Sequence, residues 1–305
     1  MTQTERNKNL SKQTGAMAVN RTYKSRIFTM VFQEKEKLLE LYNAVSGKNY
    51  HNPELLEINT LENAIYMGIQ NDLSFLIDSR LSLYEHQSTI NPNLPLRFLW
   101  YISNLYMELT KRDNPYGTKL IKLPTPQFLV FYNGEKEQPD RQILRLSDLY
   151  QVKEESIALE LTAIMLNVNR NHNPTLMEAC KTLRDYAEYV YRVRNFACNM
   201  PLEDAVELAI TQCIQEGVLK DFLEKNRREA KSVSIFEYNE EEHIRMERAD
   251  AREEGERNHL WRQVQKKLAK GKSIPQIADE LEETEEKIQA FIKEMEENPP
   301  CYDDY

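Results

Sequence analysis

Glycine is scarce in this sequence, since the 305 residues include only 8. No GxGxxG or GxxxxGK[ST] pattern occurs, so nothing supports a dinucleotide site or a P-loop, which need glycine-rich turns around phosphate. Cysteine is scarce as well, and no CxxC pair occurs among the four that are present, Cys180, Cys198, Cys213 and Cys301. This spacing indicates neither a disulfide framework nor a zinc site.

Long apolar runs are also absent from the sequence. No stretch reaches the roughly 18 residues that a membrane-spanning helix needs, and no signal peptide is recognisable. We therefore expect a soluble, cytoplasmic protein without a membrane partner. Hydrophobic residues make up 41% and charged residues 29% of the chain, a composition that supports a packed core.

The charge balance is acidic, with a net charge of −9. This argues against a general nucleic-acid coat, whose affinity comes from neutralising phosphates. The charge is unevenly placed, however, because residues 1–30 hold six Lys or Arg against one acid, and residues 281–305 hold nine acids against two lysines. A local DNA-binding surface is therefore compatible with the acidic total.

Hydrophobic periodicity predicts an α/β fold class. The predicted elements are a helix over 27–45 that stops at Gly47, a strand ending near Tyr66 or Met67, a hairpin over 72–88, a helix over 95–112 and a strand over 127–132 closed by Asn133-Gly134. Helices dominate after about residue 141, namely a long helix over 174–200, two helices broken at Gly217 within 201–233 and a helix-turn-helix pattern over 272–295. Residues 157–169 fit either a strand or a helix.

The hairpin carries an acid in each arm, in the stretch DLSFLIDSRLSLYEHQS over residues 72–88. A two-residue loop at positions 79–80 pairs Asp72 with Gln87. Because side chains alternate along a strand, Asp72, Glu85 and Gln87 then share one face at the open end of the hairpin. Asp72 and Glu85 become diagonal neighbours, within reach of one small ion.

Two carboxylates this close repel each other, and one gains a proton unless a positive charge lies between them. Mg²⁺ resolves this repulsion because it takes oxygen ligands, often one or two carboxylates, and retains water. A metal held in this way activates water and stabilises charge on a phosphodiester, while Gln87 orients that water or binds a phosphate oxygen. Acids at strand ends are also often only solvated, and the pattern alone leaves that alternative open.

Three stretches resemble the Rpn family of recombination-promoting nucleases, which belong to the PD-(D/E)XK nuclease superfamily and are also described as transposases. These stretches are NDLSFLIDSRLSLYEHQSTINPNLPLRFLWYI (71–102), KLPTPQFLVFYNG (122–134) and GVLKDFLEKNRREAKSVSIFEYNEEEH (217–243). The resemblance spans roughly residues 22–260. It implies a restriction-endonuclease-like core, meaning a central mixed sheet flanked by helices, together with a helical C-terminal extension. It also implies DNA endonuclease activity that depends on Mg²⁺, with Mn²⁺ as a substitute, and a link to recombination or mobile DNA.

The resemblance assigns roles to individual residues. Asp72 matches the family's strand aspartate, Glu85 matches the acid of the (D/E)xK element, and Gln87 stands at its lysine position. By analogy, the peptide carbonyl of His86 is a further metal ligand. Lys24 and Arg26, in the basic first segment, are expected to contact the DNA backbone.

Two positions depart from the family pattern. Ser25 stands where relatives often have an aspartate at the start of the first helix, and Gln87 offers only a dipole where lysine supplies a charge. Losing one such stabilising donor typically costs about 10²–10³ in rate. Slow turnover is therefore expected, and the alternative is a weak or inactive nuclease-fold protein that acts by binding DNA or a protein.

Two further features leave two interpretations each. Arg97, on the helix after the hairpin, is either a phosphate contact or a surface arginine. The C-terminal helix-turn-helix is either a DNA reader or a helical interaction module, because its second helix opens with Glu285 and Glu286, which repel phosphate.

DNA and a second copy of the chain are the expected partners. The predicted domains are a disordered basic segment (1–21), a nuclease-like core (22–200), a helical extension with a charged linker (201–256), a helix-turn-helix-like module (257–297) and an acidic tail (298–305).

Overall fold

The computed structural model describes residues 26–58 and 72–297. The strands in this part of the chain are β1 (Glu57–Ile58), β2 (Leu73–Ile77), β3 (Arg80–Gln87), β4 (Thr125–Tyr132), β5 (Arg141–Arg145) and β6 (Thr162–Asn167). The α-helices are α1 (Arg26–Phe32), α2 (Lys35–Ser46), α3 (Leu94–Leu109), α4 (Pro174–Ala179), α5 (Lys181–Ala197), α6 (Leu202–Glu216), α7 (Lys220–Lys225), α8 (Arg227–Leu268), α9 (Ile274–Leu281) and α10 (Glu285–Glu297). Short 3₁₀ helices occur at Pro53–Leu55 and Leu146–Leu149.

The six described strands form one mixed sheet in the order β1-β2-β3-β4-β6-β5. The centre is parallel, because β4 pairs in the parallel sense with both β3 and β6. The two margins are antiparallel, where β1 and β2 extend the sheet from β3 and β5 pairs with β6. The predicted α/β class with a central mixed sheet flanked by helices is therefore confirmed.

The β2–β3 hairpin has a different register from the predicted one. Its turn residues are Asp78 and Ser79, with φ angles of 47° and 57°, so Ile77 pairs with Arg80. Two positive φ angles are typical of the type I′ turn, whose twist matches that of the flanking strands. The predicted loop at 79–80 is therefore wrong by one residue on each strand. Because the pairing moves by two positions in total, every side chain stays on its predicted face.

Each face of the sheet is covered by its own apolar cluster. On one face, alternate residues of β2, β3 and β4 pack against helices α1, α2 and α5–α8; this cluster includes Phe28, Tyr42, Phe75, Tyr84, Phe131 and Tyr186. On the other face, the intervening residues pack against α3; this cluster includes Leu83, Phe98, Tyr101, Ile102, Val130 and Met165. Asp72 and Glu85 belong by alternation to the α3 face, and His86 belongs to the opposite face.

Several predicted elements differ in detail. The helix predicted over 27–45 is two helices, α1 and α2, although Gly47 caps the second in the left-handed conformation as expected, with φ 66°. The helix predicted over 174–200 is interrupted at Cys180, which has an extended backbone. Residues 157–169, for which strand and helix were both open, contain strand β6. The predicted strand end near Tyr66 or Met67 lies outside the described residues.

Gly134 is required by a close approach rather than by a turn angle. A Cβ atom at this position would lie 1.9 Å from the carbonyl oxygen of Ser88 and 2.6 Å from the hydroxyl of Tyr132. Gly134 is not among the described glycines with positive φ, so the Asn-Gly dipeptide follows β4 without the mirror-image turn that such a pair often forms. The close contact fixes the chain after β4 against the chain after β3.

Within the described residues, the chain divides into two compact units, one that ends at Glu241 and one that begins at Glu242. Residues of α6, α7 and the start of α8 share the cluster that contains Phe28 and Phe131; they include Val206, Ile210, Phe222, Leu223 and Val233. The predicted domain boundary at residue 200 therefore falls inside the first unit. In the second unit, the end of α8 packs with α9 and α10 around a small buried cluster of Val264, Ile277, Ala278 and Ile288. Within the described residues, no helix has both the length and the hydropathy to cross a membrane.

Candidate metal and phosphodiester site

The two predicted acids lie opposite each other at the open end of the hairpin. The last paired residues are Leu73 and Tyr84, and one further step in this antiparallel register brings Asp72 opposite Glu85. The Oδ2 atom of Asp72 accepts a hydrogen bond of 2.7 Å from the backbone amide of His86. The two carboxylates are thus direct cross-strand neighbours, closer in register than the diagonal arrangement predicted from the sequence.

Glu85 is almost fully buried, with 1% of its surface exposed. Its Oε2 atom accepts hydrogen bonds from Arg97 at 3.0 Å and from the side-chain amide of Gln87 at 3.3 Å. Its Oε1 atom is also buried and has no hydrogen-bond partner among the described residues. A buried acceptor without a donor is costly, by about 1–3 kcal/mol for a neutral group and more for a charged one.

Burial raises the pKa of Glu85 well above its usual range, and the neighbouring charge of Asp72 raises it further. Arg97, the Asp72 backbone amide and Gln87 act in the opposite direction without cancelling the burial effect. Glu85 therefore resists ionisation at this position. A divalent cation would favour the ionised form and would also supply a partner for Oε1.

Arg97 is the positive charge of this site. Its guanidinium bonds Glu85 and also donates two hydrogen bonds, of 3.1 and 2.7 Å, to the hydroxyl of Tyr101 one helical turn later. Burial lowers the pKa of Arg97, but Glu85 and Tyr101 raise it more, so the net shift is upward. The side chain remains 29% exposed. Neither sequence interpretation of Arg97, phosphate contact or surface residue, included this ion pair.

The His86 imidazole points away from the acids. It stacks on Phe28 with ring centroids 5.1 Å apart, and its Nε2 atom lies 2.8 Å from the Tyr186 hydroxyl. Burial, followed by the charge of Arg194, lowers its pKa to about 3, while the side chain of Asn133 acts in the opposite direction. The ring is thus a neutral packing group, and only the peptide carbonyl of His86 remains a candidate ligand.

His86 makes stability depend on pH. Between about pH 3 and 6.5 the folded protein binds fewer protons at His86 than the unfolded chain does, so this residue makes the free energy of unfolding fall as pH falls through that range. The expected slope from one such group is about 1.4 kcal/mol per pH unit. We expect His86→Gln to remove this component, as measured by urea unfolding at a series of pH values. His51→Gln, at an exposed position, is the control, and equal slopes for wild type and His86→Gln would contradict the expectation.

The residues present fit a Mg²⁺ ion held by few protein ligands. Within the described residues, no group of three or more His, Cys, Asp or Glu side chains is arranged to hold a metal. Mg²⁺ requires fewer, since it is commonly bound by one or two carboxylates and keeps several waters. Asp72, the Oε1 atom of Glu85 and the His86 carbonyl are therefore the candidate ligands.

The remaining predicted residues are only partly visible. Lys24 lies outside the described residues, as does Ser25, the position where the family often has an acid. The backbone of Arg26 opens α1, and its side chain is not described.

The ion pair between Arg97 and Glu85 was the main feature that sequence reasoning missed. Its signal was the four-residue spacing of Arg97 and Tyr101 in the helix that directly follows the acidic strand.

Comparisons with known proteins identify no relative: no family model, no curated protein and no solved structure matches the chain. The geometry of the site and the sequence resemblance described above are therefore what bears on the function.

Proposed function

We propose that this protein is a Mg²⁺-dependent DNA endonuclease of the PD-(D/E)XK type, linked to recombination or mobile DNA. The proposal includes a restriction-endonuclease-like core, for which the mixed sheet flanked by helices provides the coarse architecture. Mn²⁺ is the expected substitute metal. A homodimer and a cytoplasmic location remain predictions from the sequence.

One observation carries the proposal: a buried carboxylate oxygen without a partner, Oε1 of Glu85, in a side chain whose cross-strand neighbour is Asp72. A merely structural acid would be expected to use both oxygens or to reach solvent. A pair of acids with an unsatisfied oxygen is instead what a site prepared for a hard cation requires.

Each residue then has a definite task. Asp72 and Glu85 hold Mg²⁺ with the His86 carbonyl, and the amide that fixes the Asp72 Oδ2 atom aligns that carboxylate. When bound, Mg²⁺ supplies activation of water and stabilisation of charge on the phosphodiester. Gln87, whose amide already contacts Glu85, orients water or a phosphate oxygen. Lys24 and Arg26 contact the DNA backbone.

Arg97 provides the positive charge that Gln87 lacks. In the family pattern, the lysine at the position of Gln87 stabilises negative charge on the phosphate, and a neutral amide does this less well. The Arg97 guanidinium extends from α3 to the carboxylate of Glu85, which Gln87 also contacts. It is held by Tyr101 and is partly exposed. From there it is available to a phosphate that enters beside Glu85.

Plasmid nicking tests the proposed activity. Purified protein with Mg²⁺ is expected to convert supercoiled plasmid to the open circle, and EDTA is expected to stop the reaction. Asp72→Ala, purified in parallel, controls for contaminating nucleases. Equal residual nicking by the two preparations would remove the proposal.

A second candidate function is supported by the same ion pair. The Arg97 guanidinium lies 3.0 Å from Glu85 and gives it a positively charged partner in the absence of a metal. On this alternative the protein is a weak or inactive nuclease-fold protein that binds DNA or a protein partner. Undetectable Mg²⁺ and Mn²⁺ binding by a folded preparation would favour it.

A further inference from the structure

A cleft of about 270 Å³ opens beside the candidate site on the α3 face of the sheet. It is lined by Gln87, by the segment leading into α3, and by residues of β5 and β6. Its base is apolar, with the buried residues Leu94 and Met165. Its rim is rich in side-chain amides, which include Gln87, Asn91 and Gln142.

The charge of the cleft is nearly balanced. Arg145 and Asp148 both line it and carry opposite charges. The cleft therefore does not have the character of a phosphate site, which concentrates positive charge or backbone amides. An uncharged group with apolar faces and a polar edge matches it better.

The polar groups of the rim are placed to contact such an edge. Gln142 is opposite Met165 in the β5–β6 register, so both side chains lie on the same face of the sheet. Gln142 is exposed on its strand. The Oδ1 atom of Asn91 accepts a hydrogen bond of 2.9 Å from the backbone amide of Asn93, which fixes the orientation of its amide group. Gln87 connects the cleft to Glu85 through the bond of 3.3 Å.

We infer that this cleft binds one nucleobase of the DNA strand, next to the phosphodiester that is cut. The inference rests on the proposed function and adds a specificity site to it. The cleft, at about 270 Å³, is slightly smaller than most ligand pockets, and this size suits a single base better than a dinucleotide. Glutamine side chains pair with two atoms of adenine, so adenine is the expected base. Gln142 is then a specificity residue outside the metal site.

Mapping of cut positions on a randomised oligonucleotide pool tests this assignment. Wild-type protein with Mg²⁺ is expected to favour adenine by about tenfold at one position beside the cut. Gln142→Ala is expected to lose this preference, because the amide that would pair with adenine is removed. Gln215→Ala, at an exposed position of α6, is the control and should keep the preference. Circular dichroism confirms that each variant is folded.

A binding measurement separates this inference from the nuclease proposal. Oligonucleotides that carry the fluorescent base 2-aminopurine directly beside an adenine, which keeps the N6 and N7 atoms that glutamine pairs with, are titrated with protein in Ca²⁺ instead of Mg²⁺. An increase in fluorescence that depends on Gln142 supports base binding, even if no cutting occurs, in which case only the nuclease proposal fails. Cutting that shows the same base preference in wild type and Gln142→Ala overturns the base-binding inference and leaves the nuclease. If the protein neither cuts DNA nor changes the fluorescence, the nuclease proposal and the base-binding inference are both overturned.

Discussion

Replacing Asp72 by Asn is expected to lower Mg²⁺-dependent plasmid nicking by about 10³-fold, the upper range for loss of one electrostatic group in an active site. The asparagine oxygen can still accept the hydrogen bond from the backbone amide of His86, so the hairpin should keep its structure. What disappears is one of the two negative charges that hold the metal. The loss is measured as the initial rate of open-circle formation at saturating Mg²⁺.

Two controls make the Asp72→Asn result specific. Asp78→Asn changes an exposed acid of the same hairpin, which contacts Arg80 and Tyr50 rather than the site, and should nick at the wild-type rate. Thermal unfolding of Asp72→Asn should match that of wild type. Nicking by a folded Asp72→Asn protein at the wild-type rate would show that this acid has no part in the chemistry.

Replacing Arg97 by Gln is expected to change metal binding and nicking in opposite directions. The guanidinium lies 3.0 Å from Glu85 and repels any cation that binds there, so its removal should tighten Mg²⁺ binding by about tenfold. The same change removes the only positive charge placed beside Glu85 in the described structure, so nicking should fall by about 10²-fold. Calorimetry and nicking assays, each repeated over a series of pH values to account for protonation of Glu85, measure the two effects.

Arg97→Lys and Tyr101→Phe serve as controls for this split. Arg97→Lys keeps the charge without the paired donors and should recover part of the nicking rate. Tyr101→Phe removes the hydroxyl that receives two hydrogen bonds from Arg97, so it should reduce nicking less than Arg97→Gln does. If Arg97→Gln tightens metal binding and leaves nicking unchanged, Arg97 only neutralises Glu85 and is not part of the reaction.

Strand alternation explains why the convergence of Asp72 and Glu85 could be predicted although the predicted hairpin register was wrong. The observed turn at Asp78 and Ser79 lies one residue before the predicted loop at positions 79–80. Each residue of β2 therefore pairs with a residue of β3 two positions earlier than predicted. An even difference leaves every side chain on its face, so Asp72 and Glu85 converge in both arrangements. The direct opposition of the two acids depended on the turn type, which the residues Asp-Ser-Arg do not specify uniquely.

Long-range contacts were less accessible to sequence reasoning. The bond between Arg97 and Glu85 joins a helix to a strand, and only the fold determines which face of α3 meets the sheet. The edge strand β5 was not predicted, because residues 141–145 alternate only weakly and are mostly exposed. The cleft that β5 helps to form, with Gln142 on its rim, could therefore not be anticipated.

Titration of the folded protein with Mn²⁺ probes the metal site itself, since it does not depend on turnover. We expect one binding site per chain that Asp72→Asn and Glu85→Gln each weaken strongly. The affinity is also expected to rise with pH, because binding displaces a proton from Glu85, whose pKa lies well above its usual range. Mn²⁺ binding of equal strength in wild type and both variants, or none in folded wild-type protein, would show that Asp72 and Glu85 do not hold a metal.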